Sequence, residues 1–289
     1  MHSSTLKHVI KPLDGNMFVY SRLSNIEFGK KSTAGIGIKF GLTGTEKYFV
    51  DDKEFLVHAD EYVFVNHNQE FAAQVDTTET KGLCIQVSNA ILNEVRQCLS
   101  GKQNELNTYN EPQLSDPIYF INDIHKAAYS NTGAFLAVLK HFNYELDAPV
   151  LPEDFFYRLA WHLITEHSNI HHQLSRLPAK KKVTKEELYR RVKKAKEIMN
   201  DCYLQPVNMN DIAREINLSK FYFLQTYKKI FGVSPYQYLI FKRLEHAKHL
   251  LQFSAYTINE IALLSGYSDI YTFSKSFKKA FNTSPSAFR

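Results

Sequence analysis

Cysteine is scarce in this chain and poorly placed for structural chemistry: Cys84, Cys98 and Cys202 are its whole complement, odd in number, far apart and never in a C-x-x-C pair. That argues against a disulfide framework and a thiolate zinc site, and fits a reducing, cytoplasmic setting. No apolar run approaches the roughly 18 residues of a membrane span, and the start, Met1 to Lys11, lacks the apolar stretch of a secretion signal. Neither export nor membrane insertion is expected. There is no G-x-S-x-G elbow for a nucleophilic serine and no glycine-rich loop to cradle phosphate. A His-x-His pair, which would mark a metal-binding barrel, is also missing from the strand-like region, where His58 and His67 stand nine positions apart. His167, His171 and His172 gather at a helix end and read as a solvated polar face rather than a zinc site. No catalytic residue, metal or cofactor is expected, and the chain does not read as an enzyme.

What is present describes a folded protein. The 289 residues, with 17 Tyr and 21 Phe, are too long for one ordinary core and too aromatic for disorder, so two domains are expected. Charge divides them. Up to Ser175 there are 14 Lys and Arg against 21 Asp and Glu; from Arg176 onward there are 21 against 9. An acidic domain joined to a basic one is the footprint of a polyanion-binding module attached to a part that must stay off the polyanion.

The first ninety residues read as strands: Phe18 to Leu23, Gly35 to Leu42, Lys47 to Val50, Glu54 to Val57, Tyr62 to Asn66, Phe71 to Val75 and Leu83 to Val87, each rich in Val, Ile, Phe or Tyr and bounded by turn residues. Their number and spacing suggest a β-sandwich or small barrel. From Ser88, a candidate cap, the period becomes helical through Ile91, Leu92, Val95 and Leu99. The stretch from Ser100 to Pro117 has no period, and helices are expected near Ile118 to Tyr129 and Phe135 to Phe142. Pro152 is set for a first helical turn, followed by a stripe of Phe155, Phe156, Leu159, Ala160, Leu163 and Ile164. That stripe needs a partner surface, either the same protomer's barrel or a second subunit in a homodimer. Residues 176–183 read as an exposed linker. Thr184 and Glu187 then carry a capping-box pattern ahead of a helix to about Cys202.

The basic half contains a repeat. Met209-Asn210-Asp211-Ile212-Ala213 recurs as Ile258-Asn259-Glu260-Ile261-Ala262, and Phe231-Gly232-Val233-Ser234-Pro235 recurs as Phe281-Asn282-Thr283-Ser284-Pro285. The spacing is 49 in the first pair and 50 in the second, so one residue is inserted in the turn between, where it costs least. Each copy is a short helix, a turn, a cap and a longer helix ending in lysines, which is the helix-turn-helix plan. The second helices are expected from a Ser219 cap to about Phe231 and from an Asp269 cap to about Phe281. Phe223, Tyr227 and Ile230, and likewise Phe273, Phe277 and Ala280, share the helix face expected to turn inward. The outward sets are Lys220, Phe221, Leu224, Gln225, Lys228 and Lys229, and Ile270, Tyr271, Ser274, Lys275, Lys278 and Lys279. The lysines suit phosphates, Gln225 suits adenine, Lys275 suits guanine, and Phe221 and Ile270 suit thymine methyls. A helical segment from Pro235 to about Gln252 joins the copies and would hold the two readers against successive major-groove faces.

These residues resemble a known family. From about Leu188 to Arg289 the chain is similar to the DNA-binding domain of the AraC/XylS transcriptional regulators. The likeness is carried by Ile212-Ala213, Ser219, Tyr227-Lys228-Lys229, Gly232-x-Ser234-Pro235, Arg243-Leu244, Ile261-Ala262, Gly266-Tyr267, Phe273 to Lys279 and Ser284-Pro285. The resemblance implies a seven-helix bundle with two helix-turn-helix units reading neighbouring major grooves of a promoter, in contact with RNA polymerase. Gln225 and Lys275 stand where that family usually has arginine, so base preference does not carry over.

The family's N-terminal domain is commonly a cupin-like jelly roll that binds a small effector and dimerises. Residues 1–175 are similar to it in layout, followed by the linker 176–183 and the DNA-binding domain 184–289. Within such a barrel Phe40, Tyr48, Phe64, His67 and Gln86 would offer aromatic or polar contacts to an effector. The expectation is an α+β protein of two domains, a transcription regulator, activator or repressor, under effector control. The alternative is a ligand-binding or metal-dependent cupin that its basic domain merely localises on DNA.

Overall fold

A computed structural model of the chain describes residues 3–10, 15–51, 53–76, 79–101, 118–144, 150–179 and 181–289; most of the aperiodic stretch expected between Ser100 and Pro117 lies outside them. The chain divides into two compact units, residues 1–170 and 171–289. The first is β-rich and the second is helical.

The first unit begins with strands β1 (Ser3–Ile10), β2 (Met17–Ser24), β3 (Ile26–Ser32), β4 (Gly35–Thr43) and β5 (Thr45–Val50), and continues with β6 (Lys53–His58), β7 (Glu61–Val65), β8 (Glu70–Val75) and β9 (Thr80–Ser88). Helix α1 (Asn89–Gly101), a short β10 (His125–Lys126), α2 (Asn131–Ala137) and α3 (Phe155–Ser175), whose last residues from His171 fall in the second unit, complete it. The strands pair antiparallel in two sheets, ordered β1-β2-β9-β4-β7-β10 and β3-β8-β5-β6. All seven strands expected from the sequence are present, with β1 and β3 in addition. Ser88 caps α1 as expected, its hydroxyl accepting from the Ile91 amide.

Both faces of the larger sheet are covered, because side chains alternate along each strand. Ile36, Ile38 and Phe40 of β4, Tyr62 and Phe64 of β7, and Leu83, Ile85 and Val87 of β9 enter one core with the helices. The α3 stripe of Phe155, Phe156, Leu159, Ala160, Leu163 and Ile164 belongs to that same core, so the surface it needs is the chain's own sheet. On the opposite face, Val63 and Val65 meet Tyr48, Val50, Val57 and Ala73 in the space shared with the smaller sheet.

Three local expectations are corrected. Ile118 to Tyr129 is not helical: it runs without regular structure, with a bend at Asp123, as far as the two-residue strand His125–Lys126, and only then forms a 3-10 turn, Ala127–Tyr129. The reason is a side chain 54 positions away: Asn66 donates to the Phe120 carbonyl at 2.9 Å and accepts from the Phe120 amide at 2.7 Å. Asn122 in turn donates to the Phe64 carbonyl, and His125 pairs with Tyr62. The segment therefore finishes the larger sheet, its backbone bonds taken by partners a helix would forgo. Replacing Asn66 by Ala strips two buried backbone groups of their partners and should cost about 1–3 kcal/mol for each, read as faster hydrogen exchange in β7 and β10. Secondly, Pro152 stands ahead of α3, its carbonyl accepting from the Phe155 amide at 2.9 Å, rather than in the first turn.

The third correction opens the second unit. Helix α4 (Lys182–Cys202) starts two residues before Thr184 with Lys181 at its cap and no side-chain cap bond; Glu187 instead pairs with Arg191 at 2.8 Å. The charged partner one turn on wins over the backbone amide. Beyond it lie α5 (Met209–Glu215), α6 (Lys220–Phe231), α7 (Pro235–Phe253), α8 (Ile258–Leu264), α9 (Ile270–Phe281) and α10 (Pro285–Phe288).

Candidate nucleic-acid interface

The repeat in the sequence is a repeat in space. Helix α5, a turn and α6 form one copy; α8, a turn and α9 form the other. Each short helix closes with a left-handed residue, Asn217 at φ 52° in the first copy and Gly266 at φ 77° in the second. Each then returns an amide to its alanine: Leu218 N–H to the Ala213 carbonyl at 2.9 Å, and Tyr267 N–H to the Ala262 carbonyl at 3.0 Å. These are the backbone bonds of a helix end that reverses the chain. Ser219 and Asp269 then cap α6 and α9, accepting from the Tyr222 amide at 3.3 Å and the Thr272 amide at 2.7 Å. The Thr272 amide and hydroxyl hold the Asp269 carboxyl below its usual range. The inserted residue lies between the left-handed position and the cap, where the second turn carries Tyr267-Ser268 and the first carries Leu218.

Both long helices end the same way. Gly232 at φ 78° and Asn282 at φ 56° stop them, and Ser234 and Ser284 cap the next helices, each with proline in the first turn. Their buried faces match ring for ring. Tyr227 packs on Phe231 at 4.7 Å and on Tyr238 at 6.1 Å; fifty positions later Phe277 packs on Phe281 at 4.6 Å and on Phe288 at 5.5 Å. Phe223, Tyr227 and Ile230 are fully buried, as are Phe273 and Phe277. Ala280 departs from expectation: it is exposed, whereas its counterpart Ile230 is buried. An alanine is too short to fill the site that Ile230 fills in the first copy.

The other faces are open and basic. Lys220, Phe221, Gln225, Lys228 and Lys229 on α6 are exposed, with Leu224 half-buried; Ile270, Tyr271, Lys275, Lys278 and Lys279 on α9 are exposed, with Ser274 half-buried. Phe221 and Tyr271 occupy equivalent positions and are 71% and 75% exposed, far beyond what a large ring costs nothing to leave in water. Gln225 and Lys275 are likewise equivalent, one turn further on.

Residues 212–289 match a helix-turn-helix domain family. Over 98 residues the chain is 36% identical to the Msm operon regulatory protein of Streptococcus mutans and 33% identical to the lactose operon transcription activator of Staphylococcus xylosus. Those stretches are 34% of this chain and 35% of each relative, so the chain spans about a third of the length of the curated relatives it matches. A transcriptional regulator of Chromobacterium violaceum with an AraC-type DNA-binding domain is 28% identical over 35% of this chain and 90% of that one, with a TM-score of 0.33. The C-terminal region is an AraC-type helix-turn-helix domain.

The linking helix of this AraC-type domain does more than span. Arg243 on α7 donates to the Tyr203 carbonyl at 2.7 Å and to the Gln205 carbonyl at 2.8 Å, fixing the segment after α4. The same guanidinium lies against Gly266, where an added Cβ would stand 2.9 Å from the Leu204 carbonyl oxygen and 3.0 Å from Arg243 Nε. The turn of the second copy is thus seated on the first copy's leading segment. Sequence reading missed this role of Arg243. It also missed Lys196 and Lys248, which lie over the Phe231 and Phe281 rings at 4.6 and 5.5 Å, and the exposed Tyr222 and Thr272 beside the outward sets. The aromatic positions recurring fifty residues apart were the signal available for the first pair.

In the first unit the effector candidates are not brought together. Phe40 and Phe64 face the helices, Tyr48 points from the smaller sheet into the space between the two sheets, and Gln86 donates to the Gly15 carbonyl at 2.8 Å. His67 follows β7 with its Nδ1 buried. Of the other histidines weighed, His58 Nδ1 lies 2.9 Å from Thr45 Oγ1 and His167 Nε2 lies 3.1 Å from the Tyr119 carbonyl.

Proposed function

We propose that the chain is a sequence-specific, DNA-binding transcription regulator that sets α6 and α9 into neighbouring major grooves of a bacterial promoter. The observation carrying this reading is the pair of equivalent helices, each capped at its start, lysine-rich at its end and exposed along one face. On this reading α4 to α10 work as one seven-helix bundle, residues 184–289, in contact with RNA polymerase. The two-sheet unit, residues 1–175, acts as a cupin-like jelly roll under control of a small effector and as the place where a homodimer would form. The setting is cytoplasmic; among the described residues no helix is long and apolar enough to cross a membrane.

The roles are separable by salt and by sequence. Lys228→Ala and Lys278→Ala should weaken binding to all sequences and reduce the slope of log affinity against log salt by about 1 each. Gln225→Ala should instead cost about 1–3 kcal/mol at one base position and leave the slope alone. Selection of genomic fragments by the purified full-length protein at two salt concentrations, followed by titration of the enriched site, reads both. Salt-sensitive binding with no enriched motif would defeat the proposal, and equal losses at every site with Gln225→Ala would remove that residue as a base reader.

A further inference from the structure

The space between the two sheets holds polar side chains that DNA binding does not use. Alternation along β4 sends its apolar residues toward the helices and sends Lys39 the other way, where it is 5% exposed. Glu46 enters the same space. The hydroxyls of Tyr48 and Thr80 donate to its carboxylate, burial pushes that carboxyl above the ordinary range, and the charge of Lys39 pulls it partly back. Gly82 leaves the room for it, since a Cβ there would stand 2.8 Å from Glu46 Oε1.

Lys39 makes no ion pair with a carboxylate among the described residues. Its Nζ lies instead 2.6 Å from Sγ of Cys84, its direct partner in the β4–β9 register, and 4.2 Å from the centroid of the Phe71 ring. Sulfur is larger than oxygen, and even an N–H···O hydrogen bond is about 2.7–3.2 Å long. A separation of 2.6 Å is therefore short for an amine beside a thiol. It is the separation of a nitrogen and a sulfur that share one oxygen between them. Cys84 is half-buried, so small oxidants reach it, while Lys39 is held against it by the strand pairing.

We propose that Lys39 and Cys84 form a redox modification site that dioxygen closes into an Nζ–O–Sγ bridge across β4 and β9. The thiol adds dioxygen to give S–O–OH. The Lys39 ammonium releases one proton to solvent, the freed Nζ lone pair attacks the sulfur-bound oxygen, the O–O bond breaks, and the departing hydroxide takes a second proton from nitrogen as water. In sum, one thiol, one amine and one dioxygen give one bridge and one water; sulfur and nitrogen each surrender two electrons, and both oxygen atoms are reduced. Four equivalents of a thiol reductant return the amine, the thiol and a second water, leaving two disulfides. The bridged nitrogen is uncharged, so closing the bridge removes the cation that opposes the burial of Glu46. The site thereby couples oxidation to the protonation of a carboxyl inside the sandwich.

The test uses the full-length protein, purified under reductant, then held in air-saturated buffer and digested away from lysine. The expected product joins the Lys39 and Cys84 peptides with a mass gain of one oxygen less two hydrogens, separates on adding dithiothreitol, and is absent from Lys39→Arg and Cys84→Ser. Cys202, whose Sγ donates to the Ile198 carbonyl, is the internal control and should stay alkylatable. Cys84 fully alkylatable after exposure would overturn the proposal. So would Cys84 recovered as a sulfinic acid or mixed disulfide with Lys39 still open to acetylation. The wild-type digest decides the matter even where a variant fails to fold.

Discussion

Phe273→Ala should destabilise the C-terminal unit by about 3–5 kcal/mol, the range for truncating a fully buried phenylalanine. Phe273 is 0% exposed and sits between Tyr267 at 5.3 Å and Phe277 at 5.7 Å, in the cluster that also holds Leu244, Ala247 and Leu251 of α7 and Ile261 and Ala262 of α8. Residues of three helices therefore share the cluster that holds this ring. A domain stable by about 5–15 kcal/mol loses a large share of that in one substitution. Because the chain has two units, the effect is best read by hydrogen exchange in α7, α8 and α9, with the strands of the first unit as reference. Specific DNA binding should fall in parallel, since α9 is held in place by this cluster. Ala280→Ser, on the exposed face of the same helix, should stay within about 0.5 kcal/mol. A loss below about 1 kcal/mol for Phe273→Ala would mean that α9 is not seated as described.

Gly266→Ala and Gly232→Ala should part company although the two glycines share a backbone conformation, φ 77° and 78°. Each substitution places a Cβ on a left-handed residue, at about 1–2 kcal/mol. Around Gly232 nothing lies within 4 Å of that Cβ, so the cost ends there. At Gly266 the Cβ would press on the Leu204 carbonyl oxygen and on Arg243 Nε, and either the carbonyl or the guanidinium must move. Moving Arg243 endangers its bonds to Tyr203 and Gln205, at about 1–3 kcal/mol more. Chemical denaturation of both variants beside the wild type checks the order. Equal losses would show that the guanidinium yields freely and that the turn is not clamped.

The helix-turn-helix repeat was legible because its information is local. Ile-Ala pairs, caps and lysine-tipped helices sit at fixed offsets, and the left-handed residues are Asn or Gly at all four turn positions. What was not legible depended on distant partners. Ile118 to Tyr129 has apolar residues enough for a helix, but Asn66 claims the Phe120 backbone across 54 positions, and no local pattern announces that. Along β4 the alternation of Ile36, Ile38 and Phe40 with Gly37, Lys39 and Gly41 reads as one apolar and one solvated face. The second face is covered by another sheet, and a lysine that pattern would place in water is buried. The effector candidates scattered for the same reason: a barrel with one lumen was assumed, whereas the larger sheet has two interiors.

The clamp of Arg243 on the segment between α4 and α5, with Gly266 packed against it, makes the two copies one stiff caliper rather than two beads on a string. B-DNA turns about 34–36° per base pair. One base pair inserted between the two contact sites would swing the second groove out of phase, and a caliper that cannot twist must give up one contact. If both helices read DNA as proposed, an operator for this domain is defined by its phasing as much as by its letters, and lengthening the spacer by a single base pair should be as damaging as changing a base that α9 is proposed to read.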